Sequence, residues 1–342
     1  MAAIKSYKGF DKNLKCRDFQ YEIGKEYEMD GEIKVCSRGF HACESPLEVF
    51  DHYSMIGSRF CEVEQDGNIS KEDRGTKICS SKIKIKAELK LAYMINLGVE
   101  WLKDITSPEK IKTSIKDNSS GDGAKIGSSG NYAKIGSSGN YAQIGSSGYN
   151  AQIGSSGNYA KIGSSGDNAQ IGSSGYNAQI GSSGNYAQIG SSGDNAQIGS
   201  SGYNAQIGSS GDGAKIGSSG NYAKIGSSGY NAQIGSSGNY AQIGSSGDGA
   251  KIGSSGDGAK IGSSGNYAKI DSTGEGCVIM CAGINSVAKA SKGSWITLSE
   301  WSYSNKKKRY IPVCVKTEFV DGEKIKADTY YKLAGGVFKE IQ

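Results

Sequence analysis

The nine residues IGSSGNYAK at 126–134 are followed directly by IGSSGNYAQ at 135–143, and variants of this unit continue almost to residue 292. Isoleucine recurs at every ninth position from Ile126 to Ile270, and Ile279 keeps the register. A short period held over so many units is typical of a solenoid, in which each unit packs only on its neighbours. The sequence therefore predicts a mainly β fold, with a β-solenoid in the middle of the chain.

Strand alternation decides which side chains of the unit face inward. The unit reads A(K/Q)IGSSG followed by NY, YN, DN or DG. Ala, Ile and the first Ser share one face of a strand, and Lys or Gln, Gly and the second Ser share the other. Because an unpaired lysine cannot face a dry core, we predict that the Ala-Ile-Ser face is inside. The glycine and the following pair supply the corner, since glycine permits positive φ and Asn or Asp tolerates it.

The number of units in one coil has two solutions: two units give an 18-residue coil, and three units give a 27-residue coil. Tyrosines at spacing 27 would stack as ladders in the longer coil. Lysine follows lysine at spacing 18 only from Lys251 to Lys269, as expected if like charges avoid adjacent rungs, and a narrow Ala and Ser interior suits two close sheets. These observations favour the 18-residue coil and leave the 27-residue coil open.

Exposed tyrosines at the corners are candidate binding residues, because aromatic rings offer a platform for sugars or bases. The alternative is that tyrosine and asparagine only fill and fix the corners. The candidates are the ladder with spacing 27: Tyr149, Tyr176, Tyr203 and Tyr230.

The last units of the repeat test which side chains face inward. Cys277, Ile279 and Cys281 stand where Ala, Ile and Ser stood before, and the outward positions become Val278 and Met280. An outer face that turns apolar near its end predicts that the C-terminal segment packs over it.

The flanks of the repeat have an ordinary globular composition. We predict an α+β domain over 1–116, the solenoid over 117–292 and a small antiparallel β cap over 293–342. In the first domain, Ser45 and Glu48 resemble a capping box before a short helix, 87–105 reads as a longer amphipathic helix, and 59–67 and 77–85 alternate like strands.

Composition and charge exclude several classes of protein. The 342 residues include 52 glycines but only 3 prolines without a three-residue period, which excludes collagen. The net charge of +5 is spread thinly, so nucleic acid is not an expected partner. Without a signal peptide or an apolar stretch of membrane length, we expect a cytoplasmic protein with reduced cysteines and no membrane partner. Cys36, His41 and Cys43 lack the spacing of a zinc site, so we predict no metal.

The segments YKGFDKNLKCRDFQYEIGKEYE and CSRGFHACESPLEVFDHY resemble the N-terminal domain of a family of phage and prophage proteins of unknown function. Members of that family often carry a nine-residue repeat followed by a short β segment, similar to GINSVAKASKGSW and DGEKIKADTYYKL here. The resemblance implies a viral origin and a role inside the infected bacterium.

The order and spacing of YKGF, GFHACESPLEVFDHY and RFCEVE also resemble ADP-ribosyltransferase domains. On this resemblance Lys8 stands where that family has His or Arg, and His41 stands where the poly-ADP-ribosylating branch has Tyr. Tyr53 matches the tyrosine at the end of the helix, and no residue is assigned as the catalytic glutamate. These departures imply a retained fold without the activity.

The leading functional hypothesis is a nonenzymatic phage scaffold that uses no cofactor and binds or sequesters a host protein or small ligand. The first alternative is an NAD-dependent transferase centred on Lys8, His41 and Tyr53. The second is a virion or tail spacer, for which an oligomer, a trimer above all, would be the distinguishing property.

Overall fold

The computed structural model describes residues 3–55, 57–71, 76–105, 118–119 and 121–341. The chain divides into two compact units, Met1–Trp101 and Leu102–Gln342. No helix in these described ranges is long and apolar enough to cross a membrane.

The first unit is a small antiparallel sheet with the order β4-β7-β5-β1-β6. A further pairing joins β6 to β7 over most of their length, so the sheet closes on itself around a core that contains Phe10, Val63 and Ile83. The short strands β2 and β3 form a separate hairpin. The strands are β1 Ile4–Phe10, β2 Lys15–Cys16, β3 Phe19–Gln20, β4 Glu26–Glu28, β5 Phe40–Cys43, β6 Arg59–Lys71 and β7 Lys77–Leu89.

Two helices accompany this sheet. A 3-10 helix spans Glu48–Asp51, and α1 spans Leu91–Ile105. The longer helix begins four residues later than predicted because β7 continues to Leu89. The predicted capping box is wrong: Leu47 is the N-cap without a side-chain hydrogen bond, and Glu48 Oε2 instead accepts the Thr76 N–H at 2.7 Å. A long-range partner has replaced the local one.

The second unit is a β-solenoid with two strands per coil. Each strand pairs in parallel with the equivalent strand of the next coil, for example Gln188 with Gln206 and Ile189 with Ile207. The favoured 18-residue coil is thereby confirmed, and the 27-residue coil is excluded. The even-numbered strands β8–β26 form one sheet and the odd-numbered strands β9–β27 form the other, and two C-terminal strands added to each make both sheets twelve-stranded. The strands are β8 Asn118–Ser119, β9 Lys125–Ser128, β10 Lys134–Ser137, β11 Gln143–Ser146, β12 Gln152–Ser155, β13 Lys161–Ser164, β14 Gln170–Ser173, β15 Gln179–Ser182, β16 Gln188–Ser191, β17 Gln197–Ser200, β18 Gln206–Ser209, β19 Lys215–Ser218, β20 Lys224–Ser227, β21 Gln233–Ser236, β22 Gln242–Ser245, β23 Lys251–Ser254, β24 Lys260–Ser263, β25 Lys269–Ser272, β26 Val278–Cys281 and β27 Val287–Ala290.

The predicted inward face is confirmed. Alanines from Ala142 to Ala268 are fully buried, and the repeat isoleucines are at most 6% exposed. Each buried isoleucine stabilises the fold by about 1.5 to 3 kcal/mol relative to an exposed one. The first serine of each unit, from Ser137 to Ser272, is buried as well, and its hydroxyl has no hydrogen-bond partner among the described residues.

The corners stack one coil on the next. From Gly139 to Gly283, a Cβ atom on the corner glycine would overlap the carbonyl oxygen of the equivalent glycine in the preceding coil. The predicted positive φ at the corner glycine is wrong, because Gly211 and its equivalents do not have it. The second residue of the following pair is left-handed instead, with φ of 54° at Asn204 and 58° at Tyr222. Where the first residue of the pair is Asn or Asp, its Oδ1 accepts a hydrogen bond from the backbone N–H of the equivalent residue in the next coil. Asp212 accepts in this way from Tyr230 at 2.8 Å. The corner pair therefore joins coils by hydrogen bonds as well as permitting the turn.

Two hairpins end the solenoid. They consist of β28 Trp295–Ser304 with β29 Arg309–Phe319, and β30 Tyr330–Ala334 with β31 Val337–Ile341. β28 pairs with β26 and β30 pairs with β27, so each hairpin extends one sheet edge. The prediction that the C-terminal segment packs over Val278 and Met280 is wrong, since these side chains are 47% and 53% exposed. The hairpins lie beside the last coil because open sheet edges need backbone partners.

Candidate functional site

A cavity of ≈ 830 Å³ lies in the first unit, and its lining includes all three residues expected from the transferase resemblance. Lys8 comes from β1, His41 from β5, and Tyr53 from the segment after the 3-10 helix. The hairpin β2–β3 supplies Cys16 and Phe19 to the lining. Residues that are far apart in sequence therefore share one chamber of the size that binds drug-sized ligands.

Lys8 is the buried cation of this cavity. Its side chain is only 4% exposed. Its Nζ donates to the His41 carbonyl oxygen at 3.0 Å and contacts Cys16 Sγ at 3.4 Å. Burial lowers the pKa of the Lys8 ammonium, because removal from water disfavours the charged form, although nearby Cys16 opposes that shift.

Tyr53 closes over β1. A Cβ atom at Gly9 would overlap the Tyr53 ring, so the glycine of YKGF permits this close approach. The Tyr53 hydroxyl lies 3.0 Å from Cys16 Sγ. Burial, followed by the hydrogen bond with Cys16, raises the pKa of Tyr53 well above its ordinary value. Tyr53 is therefore a neutral hydroxyl at physiological pH.

His41 is held by the backbone. Its Nε2 accepts the Cys36 N–H at 2.9 Å. Burial lowers the pKa of His41, and the charge of Lys8 lowers it further, against a backbone hydrogen bond at Gly39. The ring is thus neutral near pH 7, and the lone pair that a general base would use is already occupied.

The aromatic wall of the cavity was not anticipated from the sequence. It consists of Phe19, Tyr21, Tyr27 and Phe40, whose rings contact one another at centroid distances of 4.8 to 6.4 Å. Phe19 is 48% exposed, whereas Tyr21 is buried. The aromatic residues at 19, 21 and 27 were visible as a signal, but only the fold of the hairpin brings them beside β5.

The three predicted residues make protein contacts at their polar ends. Lys8 donates to a carbonyl, His41 accepts a backbone N–H, and Tyr53 bonds a thiol. Among the described residues, no group of three or more His, Cys, Asp or Glu side chains is placed to hold a metal ion. The arrangement suits recognition of a ligand better than proton transfer.

The solenoid carries a second surface, which we name the rod face. It is the outer side of the even-numbered strands, where a column of Lys and Gln, including Gln188 and Gln206, runs beside a column of glycines. The glycines leave a shallow groove of ≈ 1120 Å³ along the coils. An added Cβ at Gly190 or Gly208 would meet open space.

The rod face ends in an exposed apolar area, the C-terminal patch. Val278, Trp295 and Phe319 are register neighbours on three adjacent strands, and the Trp295 and Phe319 rings lie 5.0 Å apart. The patch consists of Val278, Met280, Trp295, Val315 and Phe319, which are 41% to 62% exposed.

The four candidate tyrosines do not form one ladder. In the 18-residue coil, Tyr149 and Tyr203 lie on one edge of the solenoid, and Tyr176 and Tyr230 lie on the other. Ring contacts instead join tyrosines of adjacent coils, as in the run Tyr186, Tyr203, Tyr222 and Tyr240.

Comparison with known proteins adds one assignment. Residues 4–97 match a domain of unknown function, DUF7666, which covers all seven strands of the first unit. The chain matches no curated protein and no solved structure.

Proposed function

We propose that the protein is a nonenzymatic, phage-encoded scaffold that acts in the cytoplasm of the infected bacterium and binds a host protein through its solenoid. The observation that carries the proposal is the rod face, an exposed and regular surface that ends in the C-terminal patch. Exposed apolar patches of this kind are typical of protein interaction sites.

The construction of the solenoid supports a scaffolding role. Every coil bonds to the next through both sheets, and the corner glycines pack without space for a side chain. Repeat proteins of this type present extended binding surfaces whose geometry is set by the coil spacing. The viral and intracellular parts of the proposal rest on the sequence resemblance of the first domain.

The proposal is tested by capture from host bacteria with the tagged full chain. The double variant Val278→Ser and Met280→Ser removes exposed apolar surface without touching the core, and Val337→Ser removes an exposed valine from the other sheet as the matched control. We expect at least one host protein to be retained by the original chain and the control but lost from the double variant. An identical set of proteins on all three would contradict the proposal.

A second candidate is supported by the cavity. Lys8, His41 and Tyr53, which the transferase resemblance singles out, line the same chamber. As an NAD-dependent transferase, the protein would transfer label from labelled NAD to itself or to host protein. Absence of both label transfer and NAD cleavage, with the fold intact by circular dichroism, would eliminate this candidate.

A further inference from the structure

Among the residues that the structure describes, Lys8 has no carboxylate as a counter-charge. The side chain lines the cavity and is 96% buried, the complement of its 4% exposure. Its hydrogen-bond partners are a carbonyl oxygen and a cysteine sulfur, and its Nζ lies 5.4 to 5.9 Å from the ring centroids of Phe10, Tyr21 and Tyr53. No carboxylate of the described residues lies within ion-pair distance of it. A buried ammonium without a counter-charge is costly, and proteins retain such groups mainly where function needs them.

The ammonium also has a donor to spare. A lysine carries three N–H donors, whereas the carbonyl of His41 and the sulfur of Cys16 occupy two. The charge of the cavity wall is positive overall, because three basic and two acidic side chains line it, and one of the acidic ones, Glu28, is already paired with Lys82 at 2.9 Å. The remaining charged residues of the lining are Lys8, Arg17, Asp18 and Lys77.

The aromatic wall offers the cavity an apolar surface beside this charge. Phe19 contacts Tyr21 at 4.8 Å and Tyr27 at 5.3 Å, yet it leaves nearly half of its surface exposed. Such a wall suits a flat ring, since ring stacking is favourable and tolerates differences in the ring. A cavity of ≈ 830 Å³ has room for a ring and a charged group together.

We propose that this cavity binds a small organic anion that carries a flat ring, with the anionic group on Lys8 Nζ and the ring against the aromatic wall. The anionic group is a phosphate or a carboxylate, both of which accept hydrogen bonds from an ammonium. The proposal is independent of the scaffold function, because it concerns only the first unit.

The test measures binding to the full chain by calorimetry and thermal shift. The probes are nucleoside monophosphates, the corresponding uncharged nucleosides, and aromatic carboxylates such as benzoate. We expect one anionic class to bind and the nucleosides to bind at least about tenfold more weakly, the loss typical of a missing charged hydrogen bond. Comparison of the phosphate and carboxylate probes identifies the anionic group.

Two variants and a control locate the site. Lys8→Met keeps the stem and removes the charge, so it should weaken anion binding by at least about tenfold. Because a buried charge is replaced by an apolar side chain of similar length, the free variant should unfold at the same or a higher temperature. Phe19→Ala should weaken the binding of anions that carry a ring. If Lys8→Met does not fold, the binding measured with Phe19→Ala tests the proposal. Lys25→Met is the control, since Lys25 is exposed, pairs with Glu22 and lies outside the cavity.

Three results would overturn the proposal: no anionic probe binds, nucleosides bind as well as their monophosphates, or folded Lys8→Met and Phe19→Ala bind as the original chain does. Binding of an anion without cleavage of NAD leaves the proposal in place and removes the transferase. Loss of the solenoid partner has no bearing on it.

Discussion

Gly211 lies directly over Gly193 in the neighbouring coil, so closely that a Cβ atom at 211 would overlap the Gly193 carbonyl oxygen. Three residues earlier, a Cβ atom at Gly208 would meet nothing within 4 Å. The same nine-residue unit therefore contains one glycine that packing demands and one that it does not.

Alanine substitution should separate these two glycines. Gly211→Ala forces two coils apart and should lower the free energy of unfolding by about 1 to 3 kcal/mol, the usual cost of overpacking. Gly208→Ala, the matched control on the rod face, should change it by less than about 0.5 kcal/mol. Urea unfolding followed by circular dichroism measures both, and equal effects would refute the stacking argument.

The left-handed conformation destabilises the tyrosines that adopt it, and ring contacts offset this effect at some of them. Tyr267 has φ of 57°, is 63% exposed and makes no ring contact within the described part of the chain. Asparagine tolerates this conformation, so Tyr267→Asn should raise the free energy of unfolding by about 1 kcal/mol. The measurement is urea unfolding of the full chain.

Tyr222→Asn is the comparison for Tyr267→Asn. Tyr222 has the same conformation, but its ring lies 5.4 Å from Tyr203 and 5.2 Å from Tyr240. Loss of these two contacts, each worth about 0.5 to 1.5 kcal/mol, should cancel or outweigh the relief of backbone strain, so Tyr222→Asn should not gain stability. If both variants gained the same stability, the ring contacts would have no energetic role.

The buried serines should be replaceable. Ser209 is 6% exposed, and its hydroxyl has no hydrogen-bond partner in the described structure. Ser209→Ala should therefore leave stability unchanged or raise it by about 1 kcal/mol, because an unsatisfied polar group leaves the core. The chain itself places Cys281 and Ala290 at equivalent rungs. Ser210→Ala, at an exposed serine of the same unit, is the control; a large loss for Ser209→Ala alone would reveal a hydrogen bond that the structure lacks.

Acid should weaken the first unit through His41. Its pKa in the folded chain lies below the ordinary value of 6.5, chiefly because of burial. As the pH falls below 6.5, His41 is protonated in the unfolded chain before it is protonated in the folded chain. The free energy of unfolding therefore decreases from pH 6.5 down to the pKa of His41 in the folded chain. The His41→Gln variant should have a lower free energy of unfolding than the original chain at pH 7.5. The difference between the two chains should become smaller in acid. Urea unfolding between pH 7.5 and 4.5 tests this, with His52 unchanged in both chains; a constant difference would exclude the linkage.

The sequence predicted the solenoid well because its determinants are local and repeated. The spacing of isoleucine and the alternation around it placed Ala142, Ile144 and Ser146 inside, and the avoidance of paired lysines indicated the coil length. The role of Gly211 was read only as conformational freedom, since the carbonyl that it faces belongs to Gly193 in the preceding coil.

The candidate site was predictable only in part. Lys8, His41 and Tyr53 came from motif order, whereas the wall around Phe19 depends on the hairpin β2–β3 folding beside β5. Glu48 was assigned to a local cap, yet it bonds Thr76, which is 28 residues away. Side chains with several possible partners are decided by tertiary contacts, which periodicity does not report.

Because one coil contains two nine-residue units, the solenoid can change its length only by whole coils if its two sheets are to keep their strands. Loss or gain of two units would shorten or lengthen the solenoid by about 4.8 Å and leave every later strand in its own sheet. Loss of a single unit would move all later strands, including Val278–Cys281, to the opposite sheet and so transfer the apolar end to the other side. Length variants that preserve the present surface should therefore differ by even numbers of units.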